Sequence, residues 1–313
     1  MKILMTGSLG TIGRTLTRVL EARGHEVLGC DVFHGEGENF SRCDVRHLRQ
    51  VERLFDGQSF EYVYHLAAEY GRWNGEDYYE NLWLTNAVGT KNIVTMQQRH
   101  QFRLIHFSSA EVYGDYDQVM VESVMDTVPI KQMNDYAMTK WVNEMQILNS
   151  ASMFGTESVR VRPVNVYGPG EPYHRYRGVV PTIIYKALTG RPYTIYQGHK
   201  RIFDYVDDTC RTLANIVENF VSGEVYNLGG KPEWESEIKH ISDLVLNHLG
   251  LDDSQVTYRE AEPFTTRVKT IDSSKAIRDL DHDPQVTLEV GIPRTIDWMR
   301  RHYAINEGGR HDG

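Results

Sequence analysis

The sequence predicts an α/β fold, a doubly wound parallel sheet followed by a smaller mixed α/β portion, and three observations predict it. Short β-rich runs alternate with helical patterns through the first half of the 313 residues. A glycine-rich turn joins the first strand to the first helix, and after Val161 the texture shifts to a stretch rich in Pro, Gly, Tyr and His. Strands separated by helices require crossover connections, which are right-handed and place helices on both faces of a parallel sheet.

The elements follow in order from local pattern. Ile3–Thr6 is a short apolar strand, and Thr11–Arg23 carries Ile12, Leu16, Val19 and Leu20 at helical spacing. Strand Glu26–Cys30, helix His47–Phe55 and strand Tyr62–Leu66 come next, then helix Tyr78–Gln98, strand Leu104–Phe107, helix Tyr136–Ser152 and strand Ser158–Val161. The segment from Val164 to Gly178 reads as a long functional loop. Beyond it lie helix Val180–Leu188, strand Pro192–Tyr196, helix Asp207–Phe220, strand Val225–Leu228 and a mixed remainder to Tyr303. The expected organisation is a dinucleotide-binding domain over 1–163, joined by segments around 201–230, and a mainly substrate-binding portion over 164–305. Residues 306–313 lack apolar anchors and are expected to be a disordered tail.

Gly7-Ser8-Leu9-Gly10-Thr11-Ile12-Gly13 sits between the first strand and helix, the position of a Rossmann dinucleotide turn. Gly7, Gly10 and Gly13 permit a tight turn and close approach of a pyrophosphate, while Thr11 and Ile12 open a helix whose amides face the anion. Asp31 ends the second strand eighteen residues after Gly13, where a carboxylate accepts from the adenosine ribose hydroxyls. Positions 32–34 hold no Arg or Lys for a 2′-phosphate, so the expected cofactor is NAD rather than NADP. Asp44 and Val45 fall where the next strand should end and are expected to border the adenine. His65-Leu66-Ala67-Ala68 closes the Tyr62 strand, with Ala67 and Ala68 small enough to let the backbone approach the cofactor.

Composition excludes several classes. A net charge of −9 argues against nucleic acid as the main ligand. The three cysteines are scattered, and the histidines show no metal-ligand spacing, so neither a disulfide framework nor a metal site is expected. The N-terminal apolar run is too short for a signal peptide and no run approaches a membrane span, which leads to the expectation of a cytoplasmic protein with no membrane partner.

Three further motifs follow in order: Ser108-Ser109-Ala110-Glu111-Val112-Tyr113-Gly114, Tyr136-Ala-Met-Thr-Lys140, and Arg162-Pro-Val-Asn165-Val-Tyr-Gly-Pro169. With the glycine turn, this set resembles the extended short-chain dehydrogenases/reductases, the NAD-dependent nucleotide-sugar epimerase/dehydratase family, from Met1 to about His302. The residue types suit the chemistry. Removing hydride from a carbinol carbon requires a base for the hydroxyl proton, and a phenol with a pKa of about 10 is a poor one at neutral pH. Lys140, one helical turn after Tyr136, favours the phenolate. Ser109 would share the hydrogen bond to the reacting oxygen. The resemblance implies that Lys140 also holds the nicotinamide ribose, that Asn165, Arg201 and Arg267 hold the substrate diphosphate, and that the chain forms a homodimer through the helices near Tyr78–Gln98 and Tyr136–Ser152. Arginine suits a diphosphate because its planar fork makes bidentate, always-charged contacts. The loop Glu69–Asp77 and the stretch Glu171–Arg177 are expected to line the sugar pocket.

The expected substrate is therefore a nucleotide-diphosphate sugar, oxidised at C4 to a transient ketosugar before the hydride returns. Ala110 cannot donate a proton, which favours an epimerase over dehydratases that use an Asp-Glu pair there. Glu111 keeps a dehydratase or decarboxylase open, since a carboxylate beside the sugar can serve as a C5 base; its alternative role is a structural ion pair. A non-catalytic dinucleotide-binding protein is disfavoured by the intact Tyr136 and Lys140. A reductase for a non-sugar carbonyl compound is disfavoured by Asn165, Arg201 and Arg267.

Overall fold

The computed structural model describes residues 1–305. Seven parallel strands form the main sheet, in the spatial order Val225–Leu228, Ser158–Pro163, Arg103–Phe107, Tyr62–His65, Lys2–Thr6, Glu26–Asp31, Phe40–Arg42. Read by chain order, this is the doubly wound arrangement, extended by one strand at the edge beyond Ser158–Pro163. Alternate side chains of each central strand enter different cores, as the period of two requires. Ile3, Met5, Tyr62, Tyr64, Ile105 and Phe107 pack with Leu16, Leu20, Leu213 and Val206 on one face. Leu4, Val63 and Leu104 pack with Val51, Ile93, Val94 and Ile147 on the other.

The first strand reverses its crossover direction next to Tyr62–His65, with Ile3 paired to Tyr62 and Thr6 to His65. That reversal opens a crevice at the carboxyl edge of the sheet. Gly7 occupies it with φ of +70°, and a Cβ there would meet the Ala67 nitrogen at 2.7 Å. Only glycine fits, because both the left-handed conformation and the approach of Ala67 exclude a side chain.

The second portion has its own core of Tyr167, Val180, Ile183, Ile184, Ile195, Ile241, Val245, Ile292 and Ile296. A small three-stranded sheet sets its edge toward the crevice, with Lys200–Arg201 between Ser236–Glu237 and Val268–Lys269. Lys200–Arg201 and Val268–Lys269 pair in parallel, and Lys269 lies opposite Arg201.

Several boundaries differ from the sequence reading. The single helix expected over Tyr78–Gln98 is interrupted by a π turn at Leu84–Val88, between Tyr79–Trp83 and Gly89–His100. The buried Asn86 explains the interruption: its Nδ2 donates to the Glu69 carbonyl and to Thr139 Oγ1, and its Oδ1 accepts from the Glu69 amide. Such turns are common at functional sites, where one side chain must be aimed off the regular helix. The strand before Asp44 ends at Arg42, so Asp44 and Val45 belong to the following turn. The helix expected over Asp207–Phe220 runs from Val206 to Asn215 and ends in turns. The tail at 306–313 lies outside the described residues. Among the described residues no helix is long and apolar enough to cross a membrane.

One buried charge cluster joins the two central layers. Glu144, on helix Asp135–Phe154, is fully buried and accepts from Ser108 Oγ at 2.6 Å, Arg162 Nε at 2.9 Å, Arg162 Nη2 at 2.7 Å and Arg160 Nη1 at 3.2 Å. Burial alone would raise its pKa, but the two guanidinium groups outweigh that and hold it below the usual range. Removing one member of a buried ion cluster leaves uncompensated charge. Glu144→Ala is expected to lower unfolding stability by about 3–5 kcal/mol, measured by denaturant unfolding. A loss smaller than about 1 kcal/mol would show that the cluster is not a structural tie.

Candidate active site

The predicted cofactor residues meet along the crevice. Gly7, Gly10 and Gly13 close the turn, with the Gly10 amide donating to the Gly7 carbonyl at 3.1 Å and a Cβ at Gly13 placed 2.3 Å from that same oxygen. Helix Thr11–Ala22 then presents its N-terminal amides to the crevice. Asp31 is held by backbone donors, Leu9 N to Oδ2 at 3.1 Å and Phe33 N to Oδ1 at 3.2 Å. Each oxygen keeps further acceptor capacity for a ribose hydroxyl. Leu66 and Ala67 lie against Gly7, the Ala67 amide donates to Thr6 Oγ1, and Ala68 follows in the chain. These residues fit a dinucleotide: only glycines let the turn fold this tightly on Ala67 and on itself, which brings backbone amides at the start of helix Thr11–Ala22 to where a pyrophosphate would sit. Asp44 differs from the expectation of a free ligand group. Its carboxylate is taken by a bidentate contact with Arg46, at 2.6 Å to Nη2, which lowers its pKa. Val45 is buried, and its carbonyl accepts from Asn92.

The expected catalytic residues come together at the carboxyl end of strand Arg103–Phe107. Ser109 leaves the strand as the N-cap of a short 3-10 turn, its Oγ accepting the Glu111 amide at 3.1 Å. Its side chain lies beside the Tyr136 phenol. Asn134 caps the helix that carries Tyr136 and Lys140, accepting from the Ala137 amide. Lys140 is buried, with Nζ donating to the Phe107 carbonyl at 2.7 Å and lying 5.9 Å from the Tyr136 ring centre. Burial lowers its pKa to about 8, with Glu144 acting in the opposite direction. Burial raises Tyr136 above the ordinary phenol range, Ser109 opposes that rise, and the nearby charge of Glu111 adds to it. Tyr136 is thus a protonated phenol in the free protein, between a hydroxyl partner and an ammonium. His65 is a satisfied strand-end residue between Thr6 and Thr90, and burial lowers its pKa to about 3.

Glu111 has a partner that the sequence did not reveal. Lys269 Nζ lies 2.6 Å from its Oε1, with the Lys269 side chain 3% exposed and that of Glu111 24%. Burial would raise the Glu111 pKa, but Lys269, Arg72 and Arg201 bring it down to about 2. Burial lowers Lys269 to about 8 against the opposing charge of Glu111. Lys269 reaches this place through the pairing of two strands 68 residues apart in register, for which the sequence carries no local signal. Arg72, from the expected sugar-lining loop Glu69–Asp77, bridges to Glu262 at 2.8 Å, and Trp73 of the same loop meets Phe264 edge-on at 5.2 Å. Arg177, from the expected sugar-lining stretch, stacks over Tyr70 at 4.6 Å.

The three expected diphosphate residues are placed differently from one another. Asn165 is exposed with φ of +40°, and its Nδ2 donates to the Ile202 carbonyl at 3.0 Å. With Glu171, Gly178 and Val179 it lines a small cleft at the N-terminus of helix Val179–Leu188. Arg201 is buried, and its terminal nitrogens donate to the carbonyls of Lys200, Thr266 and Arg267 and to Thr265 Oγ1. It therefore braces the 265–267 segment in this structure instead of presenting a free fork. Arg267 is exposed.

Residues 3–229 match the NAD dependent epimerase/dehydratase family. A dTDP-glucose 4,6-dehydratase of Salmonella typhimurium is 27% identical over 95% of this chain and 92% of its own length. The corresponding enzyme of Escherichia coli K12 is 29% identical over the same shares. Among solved structures, UDP-glucose 4-epimerase from Thermotoga maritima is 26% identical with a TM-score of 0.86, covering 97% of this chain and 100% of that one. A dTDP-glucose 4,6-dehydratase from Streptomyces venezuelae, solved with NAD, is 25% identical with a TM-score of 0.86 over 99% and 100%.

If Asp31 holds the adenosine ribose, Asp31→Ala removes two hydrogen bonds to a charged acceptor. NAD binding is then expected to weaken by about tenfold or more, with a much smaller change for NADP. Titration of both cofactors into NAD-free protein checks this, and an equal loss for the two would contradict the assignment. The chain belongs to the NAD-dependent epimerase/dehydratase family and is an NAD-dependent enzyme of the extended short-chain dehydrogenase/reductase type.

Proposed function

We propose that this enzyme is a nucleotide-sugar 4,6-dehydratase, oxidising a nucleotide-linked hexose at C4 and then eliminating water across C5 and C6. The observation that carries this reading is the Glu111–Lys269 pair beside Tyr136 and Ser109. A carboxylate held ionised next to the expected reacting groups is in the form a C5 base requires, and its lowered pKa leaves it a weak base until the charge of Lys269 is withdrawn. The dTDP-glucose 4,6-dehydratase relatives, matched over nearly their whole length, support the same reading.

NAD, when bound, accepts the hydride of the sugar carbon and later gives it back. Tyr136 must first give up its own phenolic proton, which the Lys140 ammonium beside it would favour; the phenolate then receives the C4 hydroxyl proton, while Ser109 steadies the oxygen that becomes the carbonyl. Glu111 then takes the proton from C5, which the new ketone has made acidic. Asn165, Arg267 and the amides opening helix Val179–Leu188 hold the diphosphate. Arg177, Tyr70 and the Arg72–Glu262 bridge close over the sugar and keep water from the intermediate.

A second reading, the 4-epimerase that Ala110 favoured in the sequence, is supported by the ion pair in another sense. A carboxylate neutralised by Lys269 can be structural, and an epimerase needs no C5 base. The solved UDP-glucose 4-epimerase relative also fits this reading. Apolar side chains left exposed on the helices expected at a dimer interface, Leu84, Val88, Met138, Met145 and Leu148, support a homodimer. Sedimentation showing a monomer at micromolar concentration would overturn that assembly.

The reaction is tested by incubating purified enzyme with UDP-, dTDP-, GDP- and CDP-hexoses and measuring product mass. Loss of water from one of them is expected. Glu111→Gln should still reduce bound NAD but lose water release by about 10²-fold or more. An unchanged mass with inverted stereochemistry establishes the epimerase instead, and loss of carbon dioxide from a hexuronic acid a decarboxylase.

A further inference from the structure

We propose that Lys269 is the proton donor to the departing C6 hydroxyl of the sugar, the role for which Ala110 provides no side chain. This rests on the reading of Glu111 as the C5 base. Ala110 is buried and apolar, so an acid must reach the leaving oxygen from another element. Lys269 comes from the short strand Val268–Lys269, across the site from the turn that carries Glu111. Its ammonium carries three protons, and among the described residues Glu111 is its one acceptor within hydrogen-bond reach. Two N–H groups of a buried cation are thus left for a ligand. A lysine so placed is hard to explain as a stabilising device, because a buried pair seldom outperforms apolar packing of the same volume. It is as buried as Lys140, which has a place in the hydride step, and Arg201 and Arg72 hold its proton loosely through repulsion.

The step balances within the pair. Glu111 takes the C5 proton, and the C5–H electrons form the C5–C6 double bond. The C6–O bond breaks, and the oxygen keeps its pair, gains a proton from Lys269 and leaves as water. A neutral carboxylic acid and a neutral amine then face each other at the distance of the original ion pair. The proton passes from Glu111 to Lys269, which restores both groups, and their exchangeable protons equilibrate with solvent before C5 is reprotonated. As the Lys269 proton moves to the leaving oxygen, its hold on the Glu111 carboxylate weakens and the carboxylate becomes more basic. Each transfer therefore assists the other.

The test uses the NAD-loaded enzyme, the nucleotide hexose from the UDP-, dTDP-, GDP- and CDP- set that loses water, and the 6-deoxy-6-fluoro analogue of that hexose. Lys269→Met and Lys269→Arg should both still reduce bound NAD. Both should release water about 10²-fold or more slowly than the unaltered enzyme. Fluoride leaves without a proton, so its release from the analogue should fall only a few-fold. Lys269→Arg retains a cation beside Glu111, and so covers the case in which Lys269→Met does not fold. Restoration of water loss by arginine would show that Lys269 only balances charge and would overturn the proposal. Equal slowing of water and fluoride release would do the same. If the unaltered enzyme releases water from none of the four nucleotide classes, both this proposal and the dehydratase reading fall together. If it releases water and Lys269→Met does so at the same rate, the Lys269 assignment alone falls.

Discussion

The Glu144 carboxylate, buried under two arginines and a serine, is the interaction on which the rest of the site depends. It stands one helical turn beyond Lys140 and accepts from Ser108, the neighbour of Ser109, and from Arg160 and Arg162 on the adjacent strand. A helix laid across a parallel sheet can slide by a fraction of a turn at small cost in apolar packing. Three directional, charge-assisted donors remove that freedom. Tyr136, Lys140 and Ser109 therefore meet because the sheet and the helix are fixed to each other behind them. The same carboxylate tempers the fall in the Lys140 pKa caused by burial.

The site then uses two carboxylates and two lysines in opposite ways. Glu144 is fully enclosed and its lone pairs are engaged, so its charge is structural. Glu111 is one-quarter accessible, faces Tyr136 and has one cationic partner, so its charge is available to a ligand. Lys140 is anchored by a backbone carbonyl next to the phenol, whereas Lys269 is held by the Glu111 carboxylate, the base proposed for C5. Environment, not residue type, separates scaffold from chemistry here.

Much of this was legible in the sequence because it is local. The glycine turn, the strand-end Asp31, the Ser109 motif and the Tyr136–Lys140 spacing each arise within one strand, turn or helix, and the alternation of periods fixes the sheet. The parts that were not legible depend on contacts between distant segments. Lys269 faces Glu111 only because Val268–Lys269 pairs with Lys200–Arg201. Arg201 serves the carbonyls of 265–267 for the same reason, so a motif match gave its neighbourhood and not its bonds. The π turn at Leu84–Val88 exists to bring Asn86 to Glu69, a demand that helical periodicity cannot express. Ala110 has no side chain that can act as an acid, and the residue proposed for that role lies 159 positions away.

The central claim is that oxidation at C4 is followed by proton removal at C5. Turnover in deuterium oxide tests it most directly, with the product isolated and each sugar position read by NMR. The account predicts deuterium at C5, since that position loses its proton and is later reprotonated. A product with no deuterium on carbon would contradict it and identify an enzyme that only turns over the C4 centre.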